Sequence, residues 1–162
     1  LGRRAPQGLS AVSAGFALDP AFAATSRAVG DLGLCHVRLQ DDARYAWLVL
    51  IPRLGGMTEL EDLCEADRAR FMQEVVLCGK AVRAMGHALQ RPIDKLNFGA
   101  LGNVTAQLHG HVVGRRRGDT AWPGPVWGQG QAIPYSSQDL QTAMTAARSV
   151  LSENPDFSSA PD

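Results

Sequence analysis

The stretch Gln107-Leu108-His109-Gly110-His111-Val112-Val113 (QLHGHVV) carries two of the chain's four histidines, spaced two apart in an apolar setting. Read as an extended strand, it alternates faces. Gln107, His109 and His111 share one side, and Leu108, Gly110 and Val112 share the other. The apolar side suits packing under a helix, with Gly110 leaving room for a close approach behind the strand. The polar side is then a site or solvent. Imidazoles next-but-one on a strand stand roughly 6–7 Å apart at Cα, close enough to touch one ligand together. A lone strand histidine is usually a hydrogen-bonded residue without chemistry. Two on one face bring a functional role level with the structural one.

Outward from this strand, the apolar pattern changes period several times. Residues 35–39 (CHVRL) alternate, and residues 45–51 (YAWLVLI) are almost continuously apolar, as in a central strand covered on both faces. Gln40-Asp41-Asp42-Ala43-Arg44 joins them as a polar hairpin connection. Pro52 and the Gly55-Gly56 pair open a loop. From about Glu65 to Leu89 the spacing is helical, with Phe71, Val75, Cys78, Val82, Met85 and Leu89 in one stripe, and Arg91-Pro92 stops it. Residues 95–101 (KLNFGAL) and 107–115 read as two further strands joined at a turn around Gly102-Asn103. A segment rich in proline and glycine, residues 119–134, precedes a last helix that starts after Ser136 or Ser137 and turns Leu140, Met144, Ala147 and Leu151 to one side. This order predicts an α+β domain on a mostly antiparallel sheet of about five strands, with one long helix and a C-terminal helix. Its expected limits are a flexible lead-in at residues 1–15, one domain at 16–153 and a tail at 154–162.

Composition bounds the partners. The 162 residues are 45% hydrophobic and 20% charged, with 16 basic and 16 acidic side chains. Such a balance lacks the basic footprint for a nucleic acid polymer or an anionic membrane surface, so an anionic ligand has to be held locally. A small phosphate-bearing molecule fits this better than a polymer. Cys35, Cys64 and Cys78 form no metal-type or disulfide-type spacing and read as small buried apolar residues in a reducing compartment. No apolar run has transmembrane length and the N-terminus lacks signal-peptide order, so a cytoplasmic location is expected. The chain begins at Leu1 without a methionine, and a trimmed or added start is expected.

Residues 95–113 (KLNFGALGNVTAQLHGHVV) resemble the signature region of the histidine triad (HIT) family, whose motif is His-x-His-x-His followed by two apolar residues. The likeness extends to Leu48–Arg53 (LVLIPR), an apolar strand ending in Pro-Arg or Pro-Lys, and to Thr58-Glu59-Leu60. Trp122–Gly128 (WPGPVWG) is similar to the tail of a bacterial subgroup. The resemblance covers about residues 30 to 130. It implies an α+β nucleotide-binding fold, usually homodimeric, that hydrolyses or transfers nucleoside monophosphate groups; the substrate is expected to be a nucleotide, purine by expectation, and no cofactor or protein-bound metal is expected.

Position by position, the resemblance makes His109 the nucleophile and His111 the third histidine of the motif. Gln107 completes the catalytic set in place of the first. Asn97 and Asn103 fall where polar groups approach the ribose or phosphates, and Gln40 and Asp41 fall near the nucleoside pocket. The residue types suit the task. A neutral imidazole is a competent nucleophile near pH 7, and a second one can donate to phosphate oxygens as charge builds. This chain departs from the pattern twice: Gln107 replaces the first histidine, and Gly55 stands where many members have a histidine after Pro-Arg or Pro-Lys. An amide can donate and accept but cannot take up a proton.

Other residues weigh less. Arg115-Arg116-Arg117 reads as a solvated turn before it reads as a phosphate attractor. Trp122 and Trp127 are expected to pin the proline-rich segment before stacking on a base. His36, with Arg38 on its face, reads as a structural histidine, and His87 as a helix-surface residue. Three functions therefore remain: a nucleotide hydrolase or nucleotidyl transferase, a nucleotide-binding or sensing module without turnover, and a metal-binding protein using His109 and His111, which lacks a clear third ligand.

Overall fold

The YAWLVLI run does become the strand around which everything else is arranged. In the computed structural model, which describes residues 15–161, all seven residues of β3 (Ala46–Pro52) are buried. It pairs on one side with β2 (Cys35–Gln40) and on the other with β5 (Gly110–Arg115), both antiparallel. Beyond β2 lies β1 (Ser26–Asp31), then the two-residue β6 (Ser158–Ser159); beyond β5 lies β4 (Lys95–Gly99). The six-stranded antiparallel sheet runs β4-β5-β3-β2-β1-β6.

Three helices accompany it: the short α1 (Pro20–Thr25), the long α2 (Glu65–Ala88) and α3 (Ser137–Leu151). The expected stripe of α2 is buried from Phe71 through Met85, and α3 adds Ala143, Ala147 and Leu151 to the same core. Ser136 caps α3, its side chain accepting from Asp139 N–H at 3.1 Å. Gly110 faces this helix side of the sheet. A Cβ there would stand 2.9 Å from the rings of both Phe71 and Phe98, so the close approach anticipated behind the strand is present.

The opposite face of β3 and β5 has a second apolar cluster: Tyr45, Trp47, Val49, Ile51 and Val113, roofed by Phe22, Ala121 and Val126. The alternation puts His111 on this face, because it pairs with Val49. The sheet is thus covered on both sides at its centre, and the histidine face is roofed by α1 and irregular chain.

Several expectations need adjustment. The sheet has six strands; β1 and β6 were not foreseen because SRAVGD lacks an apolar alternation and two residues cannot show one. Residues 158–159 nevertheless add to β1, and Gly30 permits it, since a Cβ there would lie 2.4 Å from Ser158 O. The strand expected from Gln107 begins at Gly110, and the one expected to reach Leu101 ends at Gly99. Cys35 and Cys78 are buried as anticipated, whereas Cys64 is half-buried at the start of α2. Fourteen of the residues expected as a flexible lead-in lie outside the described residues. No helix among the described residues is long and apolar enough to cross a membrane.

Candidate active site

The two imidazoles of QLHGHVV meet. The rings of His109 and His111 lie edge to face with centroids 4.8 Å apart, 5% and 8% exposed. His109 precedes β5 by one residue, so the strand's hydrogen bonding carries His111 directly and His109 through its neighbour.

Each ring has one nitrogen committed by the backbone or by a neighbour. His109 Nδ1 lies 2.6 Å from Gln107 O. A carbonyl only accepts, so Nδ1 carries the proton and Nε2 of the neutral ring presents its lone pair. His111 has the reverse arrangement. Its Nδ1 accepts the indole N–H of Trp47 at 3.0 Å, which assigns its proton to Nε2. Burial, with His109 adding to it, pushes the His111 pKa down to about 3, so this ring is neutral at physiological pH. One ring nitrogen with a free lone pair and one ring N–H donor therefore stand side by side.

Gln107 enters this site through its carbonyl and not its amide. Its side chain turns away from the imidazoles: Nε2 donates to Ala17 O at 2.8 Å and Oε1 accepts from Asp19 N–H at 2.9 Å. From the same segment Phe22 sets its ring against His109, with centroids 4.9 Å apart. Trp127 closes the other side, 5.4 Å from the His111 ring and 6.2 Å from Trp47.

A cavity of ≈ 330 Å³ opens beside His109, between Thr58–Glu61 and Ala100–Asn103. Asn103 lines it, so this expected substrate residue is brought to the same cavity as His109. Asn97 stands on the histidine face, opposite Val113, with its Oδ1 accepting from Arg115 Nη1 at 2.8 Å. Gln40 ends β2 on the same face, opposite Ser26 and toward the far end of the strands from His109. Asp41 is occupied elsewhere: its carboxylate pairs with Arg27 at 3.2 Å and accepts from Tyr135 N–H at 2.9 Å. Gly55 lies in the turn after Leu54, half-buried.

The remaining candidates divide. His36 is structural, donating from Nδ1 to Asp31 at 2.5 Å and accepting from Arg38 at 3.1 Å. His87 is exposed on α2. The reading of residues 115–117 as a solvated turn is corrected at Arg115, which is 1% exposed and forms a two-pronged pair with Asp119 at 2.8 and 2.9 Å. Burial works to raise the Asp119 pKa, but the Arg115 guanidinium and the amides of Arg116 and Ala121 hold it below its usual value. Arg115 also donates to Gly124 O, fixing the loop that carries Trp127. Among the described residues no cluster of three or more His, Cys, Asp or Glu is placed to hold a metal ion, so the metal reading gains no third ligand. Sequence reasoning missed Trp47, Phe22 and Arg115. Only the position of Trp47, two residues into the apolar strand, carried any signal, and it was the signal of core.

An antiparallel sheet with the two longer helices, α2 and α3, on one face and a paired imidazole site on the other defines an α+β protein built around a strand-borne histidine motif. Residues 21–118 match the family model of the HIT domain, and the chain belongs to the HIT family. Members of that family are in general nucleotide hydrolases or transferases. The structure is similar to three solved bacterial histidine triad proteins. One from Sinorhizobium meliloti 1021 is 39% identical, with a TM-score of 0.74 over 88% of this chain and 98% of that one. One from Bradyrhizobium japonicum is 36% identical, with a TM-score of 0.77 over 85% and 98%. One from Marinobacter aquaeolei VT8 is 32% identical, with a TM-score of 0.77 over 86% and 98%. Comparison with curated proteins gives no match.

Proposed function

We propose that this protein is a nucleotide hydrolase or nucleotidyl transferase acting at the α-phosphate of a nucleoside phosphate ester, phosphoramidate or dinucleoside polyphosphate. The observation that carries this reading is the 2.6 Å contact of His109 Nδ1 with Gln107 O, which leaves Nε2 as the free nucleophile. Nε2 attacks the α-phosphorus, and the bond from phosphorus to the leaving oxygen or nitrogen breaks. The leaving group departs into the cleft beside Asn103 and takes a proton from solvent. The imidazole, now bonded to phosphorus, is cationic, and its Nδ1–H is already held by a carbonyl dipole. His111 Nε2–H donates to a phosphoryl oxygen as negative charge grows there. Water then breaks the P–N bond, releasing the nucleoside monophosphate and restoring neutral His109.

The assay is a panel of purine nucleoside phosphoramidates and dinucleoside polyphosphates, run with wild type and His109→Ala. The reading expects turnover in the first, its loss in the second, and a nucleotidyl adduct on His109 in quenched wild-type reactions. Equal background release from both proteins would sink it. One observation favours a second reading, a nucleotide-binding module without turnover: the Gln107 amide is spent on residues 17 and 19, so it adds nothing to the chemistry. Nucleotide affinity with no adduct would support that alternative.

The proposed assembly is a homodimer formed through edge strand β4 and the adjoining part of α2, in a cytoplasmic setting. Phe98, Leu101, Met72 and Val76 are exposed there, 41–59% each, beside an unpaired strand edge. Sedimentation of wild type against Val76→Glu tests this, with a monomeric wild type overturning it.

A further inference from the structure

Gln107 and His109 are tied to one stretch of chain by separate contacts. The Gln107 amide holds the backbone of Ala17 and Asp19, which are 90 and 88 residues away in sequence. One helical turn further, Phe22 covers the His109 ring. Under that cover the nucleophile is 5% exposed. Attack requires the phosphorus to come within roughly 3–3.5 Å of Nε2, in line with the departing atom, so a neighbour of this enclosed ring has to yield. Of the two rings set against His109, that of His111 is on the central strand β5. Phe22 is on α1, six residues long and outside the sheet, a length that does not sustain a helix without packing. Its other holds are the apolar contact of Phe16, Leu18 and Phe22 with the second cluster and, at the α1 end, the hydrogen bonds from Ser26 Oγ to Phe22 O and from Asp41 N–H to Thr25 O.

We propose that residues 17–22 are a strap that closes over the nucleophile, and that Gln107 is its latch. A side-chain amide presents a donor and an acceptor on one edge, the complement of one C=O and one N–H of a neighbouring backbone. The ring nitrogens of an imidazole do not sit side by side in that way, so histidine at this position cannot make the same pair. The departure at the first motif position therefore replaces a histidine with a fastening. Opening admits the substrate to His109, and closure holds the reacting groups in place during attack. That the molecule admitted is a nucleotide rests on the function proposed above; the strap does not.

The test is site-resolved modification of histidine by diethyl pyrocarbonate on the full chain, read by peptide mass spectrometry. Gln107→Ala removes both hydrogen bonds, and His109 is expected to react about tenfold faster or more, the effect of losing two bonds of ordinary net strength. Gln107→Glu replaces the donor to Ala17 with a carboxylate oxygen that repels its carbonyl, so His109 is also faster there. Phe22→Ala uncovers the ring directly and is also faster. Cys78, fully buried in the core on the helix side of the sheet, stays closed to a thiol reagent in all three. Unchanged His109 reactivity in Gln107→Ala and Phe22→Ala overturns the proposal, as does a parallel labelling of Cys78, which would mean general loosening. Should Gln107→Ala not fold, Gln107→Glu and Phe22→Ala decide. No turnover enters this measurement, so its failure is distinct from failure of the His109→Ala assay.

Discussion

The indole N–H of Trp47 points at Nδ1 of His111, 3.0 Å away, and this one bond decides which nitrogen of the second histidine can donate to a substrate. Trp47→Phe removes the donor and keeps most of the packing. The acceptor left behind is buried, at a cost of about 1–3 kcal/mol, measurable as a lower midpoint in urea. The proton of His111 is then free to shift to Nδ1. Turnover, where assayed, is expected to fall more than substrate affinity does; an unchanged midpoint and unchanged turnover would show that Trp47 does not set the tautomer.

Acid should unfold this protein partly through His111. Its pKa lies near 3 in the folded chain, against an ordinary value near 6.5, because burial opposes the charged ring. The unfolded chain binds the proton more readily, so this contribution is complete above pH 6.5 and declines as pH falls toward 3. The slope approaches about 1.4 kcal/mol per pH unit within that window. His111→Phe should flatten the stability profile between pH 6 and 4, and equal slopes in the two proteins would refute the assignment.

Arg115→Met tests the clamp beneath the Trp127 loop. Both side chains of the Arg115–Asp119 pair are nearly inaccessible, 1% and 3% exposed, so removing the cation strands a buried carboxylate. A loss of about 3–5 kcal/mol is expected. The double variant Arg115→Met with Asp119→Leu should recover part of it. If the double variant is no better than the single one, the stranded charge is not the cause.

Gly110→Ala should lower the thermal midpoint without touching either imidazole. The added methyl meets the Phe71 and Phe98 rings at 2.9 Å, and overpacking of this kind costs about 1–3 kcal/mol. A variant as stable as wild type would mean that α2 and β4 can move apart at that point.

Period-two alternation was enough to put His109 and His111 together, and period-3.6 spacing was enough to find α2 from Phe71 to Met85. Both are local properties of a strand or helix and need no knowledge of what packs against it. The same local logic overextended the histidine strand to Gln107, since alternation continues in sequence after the ladder has stopped at Gly110. It also misread Arg115, which looked like the first of three solvated arginines. Its burial depends on Asp119, Asn97 and Gly124 arriving from three places at once.

What the amino-acid sequence determined by itself is therefore the order of elements from β2 to α3, the family likeness and the side on which the imidazoles stand. Tertiary structure alone decided the tautomer of His111, its burial and the work of the Gln107 side chain. The tautomer and the work of Gln107 depend on partners far along the chain: Trp47 for His111 and residues 17–19 for Gln107. A hydrogen bond between residues 60 to 90 positions apart leaves no periodic trace in either segment, because its geometry exists only once the chain has closed upon itself.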